Sequence, residues 1–546
     1  MSRCPDIIPI GFVEKTERSY ITVDKIFYKV RIDKQNDLKF GDILYFNMKG
    51  NRIEKDSDLK KNVLFQCDSY LKIHTIHTRK AIDDRMENYD PLTCSALKRI
   101  IFDIYPSDET ELSLGYGLFS YYFFKRIERN NRSLAMGMIF LFSFLFGIRI
   151  KYYLIVIGIV CGVKNKNRIE VFVLQIIFLS LLNPFLFHNN SVLLTLLFEA
   201  YGIFSIPFSF HSYLLILSSL LFGQSDLVDV FFFKQFVLFK ALLFLASSLV
   251  LVFPVLSGTY GLLIRLFTYI DRFHLNIRGS ISLPGFLLFM EMTRIMKKRG
   301  RSVEVILICI CILLPLNEPF FQVSFIDVGQ GDATLIRYPF SHSCILIDTG
   351  PKYNYYSLQK ELFKKGIYRI DHLIITHNDS DHNGNVSALL KDFDVKDIVE
   401  KGRDIEYRDL LFKFYDLGIF DNDNDNSLVY SLEVNGKTFL FTGDISRNAE
   451  RILIMRYGPL NVDVLKVGHH GSSSSSSELF ISEILPEVAS ISTSGMYDHP
   501  HKEVLEILDR YLVKYYVTAR SGTISIYMLS GISFVRTSKN EFAIMR

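Results

Sequence analysis

Polar and apolar positions along the chain fall into three regimes. Over residues 1–90, short β-rich runs (IIPIGFVE, SYITVD, IFYKVRI, DILYFNM, VLFQC) alternate with polar turns such as KQND and KGN. Short strands at regular spacing predict a small β-barrel or sandwich, and an OB-like barrel is the reading adopted for residues 1–95. From about residue 110 to 316 the pattern becomes long and charge-poor: LAMGMIFLFSFLFGI (134–148), YYLIVIGIVCGV (152–163), VFVLQIIFLSLLNPFLF (171–187), SVLLTLLFEAYGIFSIPFSF (191–210), FVLFKALLFLASSLVLVFPVL (236–256) and VEVILICICILLPL (303–316). Crossing the hydrocarbon core takes about 20 residues, so some runs suffice and others would be short, paired or re-entrant. Buried core helices are the alternative for the shorter runs. The density of the runs favours a polytopic α-helical membrane domain over 98–317. From residue 321, strands alternate with helices. FQVSFIDV, SCILIDTG and HLIIT read as strands, YYSLQKELFKKG and NVSALLKDF as helices, and SLVYSLEVNGKTFLFTGD as a hairpin closed by Asn-Gly. That predicts a layered α/β domain over 320–546.

Composition agrees with a membrane region between two globular ones. In 546 residues the hydrophobic share is 49% and the mean hydropathy +0.20, high for a wholly water-soluble chain. A net charge of +4 neither demands nor excludes a polyanionic partner. The seven cysteines (Cys4, Cys67, Cys94, Cys161, Cys309, Cys311, Cys344) have the spacing of neither a disulfide framework nor a cysteine-based zinc site. The N-terminal stretch lacks the apolar core of a signal peptide, so the central segments are expected to carry the chain into a membrane.

Basic clusters KRIERNNR (125–132), KNKNR (164–168) and KKRGR (297–301) occupy short loops, which by the positive-inside rule face the cytoplasm. The last apolar run follows the third cluster, which predicts an extracytoplasmic C-terminal domain. The OB-like region lies outside only if an apolar segment translocates it. LSLGYGLFSYYFF (112–124) is the segment that could translocate it; otherwise it is cytoplasmic, or the chain is a shortened form. Glu199, Asp226 and Asp229 fall within or beside apolar runs, where ionisable groups either line a polar path or sit at an interface or loop.

The chemistry concentrates in THNDSDHNGN, which follows a strand-like run and places His377, Asp379, Asp381 and His382 within six positions. Asp444 ends the run FLFTGD, and His469 and His470 end DVLKVGHHGS. Imidazole and carboxylate are ligands for zinc, manganese or iron, and strand ends in one α/β domain converge on one edge of a sheet.

These positions resemble the metal-binding series of the metallo-β-lactamase fold, an αββα sandwich. The strings FIDVGQGDA (325–333), ILIDTG (345–350), THNDSDHNG (376–384), SLVYSLEVNGKTFLFTGDIS (427–446) and DVLKVGHHGS (463–472) are more specifically similar to the C-terminal domain of the ComEC family of DNA-uptake channels. LLNPFLFHNNSVLLTLLFEAYGIF (181–204) resembles that family's membrane domain more weakly. The resemblance implies a multi-pass channel that passes single-stranded DNA in natural transformation. It also implies an outer nuclease-like domain acting on the other strand. Implied partners are DNA, the membrane, DNA-delivery and ATP-driven translocation proteins, and further copies in a homo-oligomer. The implied catalytic residues are Asp381, Asp444 and Asp332. Asp444 bridges, Asp381, His382 and one of His469 or His470 form one metal position, and His377 and Asp379 form the other. Asp327, Gln330, Asp348, Asn426 and His499 border the site.

Two departures bear on the metal. Asp379 stands where the general lactamase pattern has a second histidine, and no histidine lies between His382 and His469. One position is thus mostly oxygen, which favours Mn2+ over Zn2+, with one or two ions bound. DNDNDNS (421–427) lacks the EF-hand glycine and glutamate and reads as a solvated loop. The serine run 472–477 reads as a helix start rather than catalytic machinery. Two other functions remain open: a membrane-anchored hydrolase of small or lipid-linked phosphodiesters, and a non-catalytic DNA-binding domain.

Overall fold

A computed structural model describes residues 320–546 almost throughout and the helical stretches between 131 and 313 with short gaps; before residue 131 it describes the backbone of seven strands and a few helical positions. The run 112–124 and the basic cluster 297–301 lie outside the described residues apart from their last members, Phe124 and Arg301. The chain divides into two compact units, residues 1–210 with 226–275, and residues 211–225 with 276–546.

In the first unit, alternating sequence gives one seven-stranded sheet in the order Gly50–Arg52, Val63–Cys67, Lys29–Asp33, Tyr20–Asp24, Ile10–Thr16, Asp42–Phe46, Tyr70–Thr75. Lys29–Asp33 pairs in parallel with Val63–Cys67 and the other pairings are antiparallel. Among the described strands, Gly50–Arg52 and Tyr70–Thr75 stand at the two ends of this order, and the described pairings are those of a sheet. The apolar runs form helices, including Arg132–Phe146, Ile150–Val163, Arg168–Leu182, Asn190–Ile203 and Phe233–Val252. Phe124, Tyr152, Ile155, Leu179 and Leu196 share a core, while Phe140, Leu181 and Leu262 are exposed. Among the described residues no helix is long and apolar enough to cross a membrane. Phe233–Val252, with 20 residues, carries Lys234 and Lys240 in its first half, and Pro254 opens a short 3-10 turn just beyond it. The spans expected from the sequence are therefore not formed by any one described helix. Asp226 accepts a bond from Val228 N at 2.8 Å as the N-cap of Leu227–Phe231, the loop role open to it from sequence.

In the second unit the C-terminal strands build two sheets packed face to face. The first runs Asp394–Val395, Arg369–Ile374, Ser343–Ile347, Thr334–Arg337, Phe321–Phe325, Ile524–Leu529, Ile532–Thr537, Phe542–Ile544, with Ile398–Val399 also pairing on Arg369–Ile374. The second runs Ile405–Tyr407, Leu410–Tyr415, Val429–Val434, Lys437–Phe441, Val464–Lys466, Val488–Ile491, Lys514–Val517. Phe325, Ile345, Phe412, Tyr430, Phe439 and Ile526 meet in the shared core. Helices Tyr355–Lys364 and Val386–Asp392 cover the first sheet through Leu358, Leu362 and Leu389. Helices Arg447–Tyr457, Glu478–Ile484 and Lys502–Arg510 cover the second through Leu453, Ile481 and Leu508. The result is the αββα sandwich expected from the motifs. The Asn435-Gly436 hairpin has positive φ at both residues, 51° and 74°, as the turn requires.

In each sheet one edge region is parallel: Ser343–Ile347 with Arg369–Ile374, and Lys437–Phe441 with Val464–Lys466 and Val488–Ile491. Parallel strands end on the same side, so residues just after Ile347, Ile374, Phe441 and Lys466 gather at one rim. Gly331 has φ +145°, and a Cβ there would collide with the Asp381 carbonyl and lie 2.8 Å from Pro351 Cδ. Gly331→Ala should destabilise the C-terminal domain by about 2 kcal/mol or more, measured as a fall in its thermal unfolding midpoint; an unchanged midpoint would show that the rim yields.

Candidate metal centre

Asp348 follows the strand Ser343–Ile347 with φ +59°, a left-handed conformation that costs a non-glycine residue energy and is held by its surroundings. Its carboxylate accepts bonds from Thr376 N (2.8 Å), Thr376 Oγ1 (2.8 Å) and His382 Nδ1 (2.8 Å). With Nδ1 so engaged, His382 Nε2 turns toward Asp444 Oδ2 at 3.4 Å. His377 stacks beside it, ring centroids 4.1 Å apart, with Nε2 3.5 Å from Asp379 Oδ2. Nε2 of both histidines is buried and makes no hydrogen bond. A buried imidazole nitrogen pointing at carboxylates without a bond is a donor set suited to a divalent cation, and the residues fit that group.

Gly468–Gly471 is a tight turn in which His469 and His470 both have positive φ, 48° and 55°. Successive left-handed residues send the two rings apart. His470 Nδ1 donates to Ser492 O at 2.9 Å, and Nε2 meets Asp381 Oδ2 at 3.0 Å and Asp444 Oδ2 at 3.6 Å. The His469 ring bonds Ser474 Oγ at 2.9 Å, whereas its backbone N–H donates to Asp444 Oδ1 at 3.0 Å. The pair left open by the sequence is thereby separated: His470 faces the centre and His469 orients Asp444 through the main chain. Two three-residue groups have ligand atoms within 4.8 Å of one another, His377 with His382 and Asp444, and Asp381 with His382 and His470. Asp332, Asp348 and His382 make a third such group, in which Asp348 already holds His382 Nδ1.

Asp332 lies behind the ligands. It forms an ion pair with Lys466 Nζ at 2.6 Å and lies 3.5 Å from His470 Nδ1. Both charged side chains are buried, so Asp332 is placed to hold His470 rather than to meet a substrate. Lys466 was not singled out in the sequence; a charged residue inside the strand-like run DVLKV was the available signal. Thr376 and Asn385 were missed as well, since such polar residues rarely announce themselves. Ser427, last residue of the stretch read from sequence as a solvated loop, bonds His377 Nδ1 (3.3 Å) and accepts from Asp444 N (3.1 Å).

The remaining predicted border residues spread outward. Gln330 accepts from Thr493 Oγ1 at 3.0 Å, and Asp327 accepts from Gly329 N at 3.3 Å. Asn426 bonds Phe420 and Asn422 within its own loop, away from the ligands. His499 stands at the rim, its ring centroid 6.1 Å from that of His469 and 6.4 Å from that of His470. The serine run ends as expected in an N-cap, Ser477 Oγ accepting from Phe480 N at 3.3 Å; Glu450 binds the backbone of Ser476 and Ser477 from the neighbouring helix.

Charge balance follows from the packing. Burial alone would lower the pKa of His470, but Asp444, Asp332 and Asp381 outweigh it and raise it to about 10. Burial is likewise overcome at His382, raised well above the usual imidazole value by Asp444 and Asp348. Burial would raise Asp444, yet the charges of His382 and His470 hold it well below the usual carboxylate range. His377 goes the other way, lowered by burial and by the charge of His382.

Because a cation entering the centre must displace protons from groups with raised pKa values, affinity should climb as pH rises from about 7 toward 10, with protons released on binding. Calorimetry in buffers of different ionisation enthalpy would read this, and a flat profile would remove His470 from the ligands. His470→Ala should weaken metal binding more than about 100-fold and Asp348→Asn by about 10–100-fold, while His469→Ala changes it little; equal losses at His469 and His470 would contradict the separation of the two rings.

Comparison with known proteins agrees with this geometry. Residues 326–423 match the family model of the metallo-beta-lactamase superfamily. ComE operon protein 3 of Bacillus subtilis is 32% identical over 251 residues, 37% of this chain and 32% of that protein. Recombination protein 2 of Haemophilus influenzae is 32% identical over 268 residues, 44% of this chain and 33% of that protein. The matched region thus spans about a third of the length of these relatives. Among solved structures, CmlA, a diiron beta-hydroxylase from Streptomyces venezuelae, is 13% identical over 47% of this chain and 64% of that one, with a TM-score of 0.29, too low to bear on the site. The chain is thus similar to competence proteins over about a third of their length, and its residues 326–423 match the metallo-beta-lactamase superfamily.

Proposed function

We propose that the chain serves DNA uptake at a cell membrane, its helical part passing a single strand and its C-terminal domain hydrolysing phosphodiesters of the other strand on the outer side. The observation that carries the hydrolase half is the pair of buried, unbonded Nε2 atoms of His377 and His382 facing Asp379 and Asp444. The names of the relatives, among them Competence protein ComA of Neisseria gonorrhoeae, support the link to competence. Exposed Phe140, Leu181 and Leu262 on the helices support a lipid-facing surface, because water-soluble chains rarely present many large apolar side chains together. The outer placement rests on the basic clusters read as cytoplasmic. DNA-delivery and ATP-driven translocation proteins, and further copies of the chain, are the partners this reading requires.

The donor set supports a division of the ligands between two cations. His377, Asp379 and Asp444 would hold one cation, and Asp381, His382 and His470 a second, Asp444 lying within reach of both. With a high share of oxygen, the first position suits Mn2+ better than Zn2+. A divalent cation there supplies Lewis acidity toward a phosphoryl oxygen and a lowered pKa for water. Asp348 and Ser492 fix the tautomers of His382 and His470 through Nδ1, leaving Nε2 for the cation. Asp381, whose side chain is 31% exposed while Asp444 and Asp332 are buried, is the carboxylate placed to take a proton from an attacking water.

The full chain purified in detergent with Mn2+ should cleave DNA, and Asp381→Ala should slow cleavage by about 10²–10⁴-fold; in competent cells the same substitution should abolish uptake of labelled DNA and leave surface binding intact. Cleavage of small phosphodiesters but never of DNA would move the reading to a hydrolase of small or lipid-linked phosphates. Failure to bind any divalent metal would leave a non-catalytic DNA-binding domain.

A further inference from the structure

Residues 276–280 lead from the helical segments onto the back of the sandwich, within the same compact unit as the metal centre. Arg278 is the chief contact. Its guanidinium donates to Ile367 O at 3.1 Å and to Asp392 O at 2.7 Å, and its backbone N–H donates to Tyr368 Oη at 2.7 Å. The same group lies over the rings of Phe363 (4.4 Å) and Phe393 (4.7 Å). Ser280 adds two bonds to Lys364 O, from N at 3.1 Å and from Oγ at 3.3 Å, and Gly279 N donates to Gly223 O at 2.8 Å just beyond the helix Phe210–Phe222.

Two of these acceptors share one character. Lys364 and Asp392 are the last residues of helices Tyr355–Lys364 and Val386–Asp392, where terminal carbonyls lack partners and the helix dipole favours a cation. The segment 276–280 therefore caps two helices of the C-terminal domain from outside their own sequence. The two helices are bound to each other: Tyr355 Oη and Gln359 Nε2 both donate to Asp392 Oδ2, at 2.5 Å and 2.6 Å.

Their opposite ends carry the metal loop. Asn385, directly before Val386–Asp392, donates from Nδ2 to Thr349 O (2.7 Å), Gly350 O (3.1 Å) and Pro351 O (3.0 Å), and its N–H donates to Thr349 Oγ1 at 3.0 Å. Thr349 in turn holds the His382 carbonyl, through Oγ1 at 2.9 Å and through N at 2.6 Å. A seven-residue helix, about 10 Å long, separates the Arg278 contact from this loop.

We propose that Arg278 is a positioning residue for the metal centre: by gripping the C-terminal ends of these two helices it holds the loop that presents His382, so docking of segment 276–280 and metal binding favour one another. This rests on the metal reading above. Two sites coupled in this way must act reciprocally.

Hydrogen exchange and direct Mn2+ binding on the full chain in detergent test it. In the wild type, Mn2+ should slow amide exchange over 276–280 as well as over 376–385. Arg278→Ala should weaken Mn2+ binding about tenfold without changing the ligands, and Arg278→Lys, which keeps the charge and loses the fork, should recover part of that loss. Should the alanine variant misfold, the lysine variant and wild-type exchange still decide. Faster exchange over 362–368 and 389–394 in Arg278→Ala with Mn2+ affinity unchanged would overturn the proposal and leave a purely structural clamp. Mn2+ binding without protection of 276–280 would also overturn it. No divalent metal bound by the wild type would show, before any substitution, that the metal reading itself had failed.

Discussion

The hydrogen bond between His382 Nδ1 and Asp348 Oδ2 ties the short helix Ser380–Asn383 to the end of the strand Ser343–Ile347, at 2.8 Å and out of reach of water. It fixes the imidazole tautomer, turns Nε2 toward Asp444, and holds Asp348 in a backbone conformation that few aspartates adopt. Thr376, bound to the same carboxylate, sets the start of the loop that carries His377, Asp379 and Asp381. Asp444 and His470 arrive from the other sheet, so the centre sits on the seam of the sandwich. Only close packing of the two sheets brings the two halves within ligand distance, which makes the shared core of Phe325, Phe412 and Phe439 as much a part of the centre as the ligands.

Such a centre concentrates charge where water cannot screen it. Asp332, Asp348 and Asp444, all buried, lie close to His382, His470 and Lys466, and each of these three charges is stable only through its neighbours, while Asp381 joins them from the partly exposed side. Lys466 is the basic side chain of this group, paired with Asp332 at 2.6 Å. It compensates Asp332, which would otherwise be an unpaired carboxylate behind His470, and leaves Asp381 and Asp444 as the negative charge that a metal must balance.

The layered C-terminal fold was legible because its signals are local. Alternation marked FQVSF, a short continuous apolar run marked SCILI, Asn-Gly marked the hairpin, and a closing glycine marked the helix Tyr355–Lys364. Ligand types at strand ends were legible for the same reason. What distinguishes His470 from its neighbour is a pair of backbone dihedral angles, and composition says nothing of those. Lys466 and Asn385 matter through partners more than 30 residues away, invisible to any window along the chain. In the helical region the apolar runs located helices well, but their exact length depends on lysines and prolines that hydropathy averages over, as in Phe233–Val252. The β-rich start gave strands at the expected places; closure depends on which edges meet, and alternation along single strands does not encode that.

The seam also governs when the centre comes into being. Its ligands are drawn from residue 377 to residue 470, the carbonyl that steadies His470 belongs to Ser492, and the strand Phe321–Phe325 at the middle of the first sheet pairs with Ile524–Leu529. During translation the acidic loop around Asp381 therefore emerges well before the imidazole that faces it. Neither sheet alone encloses a complete donor set, so a nascent chain carries no working centre until nearly the whole domain has left the ribosome and folded. A metal centre built this way is absent from the chain for as long as it is unfinished.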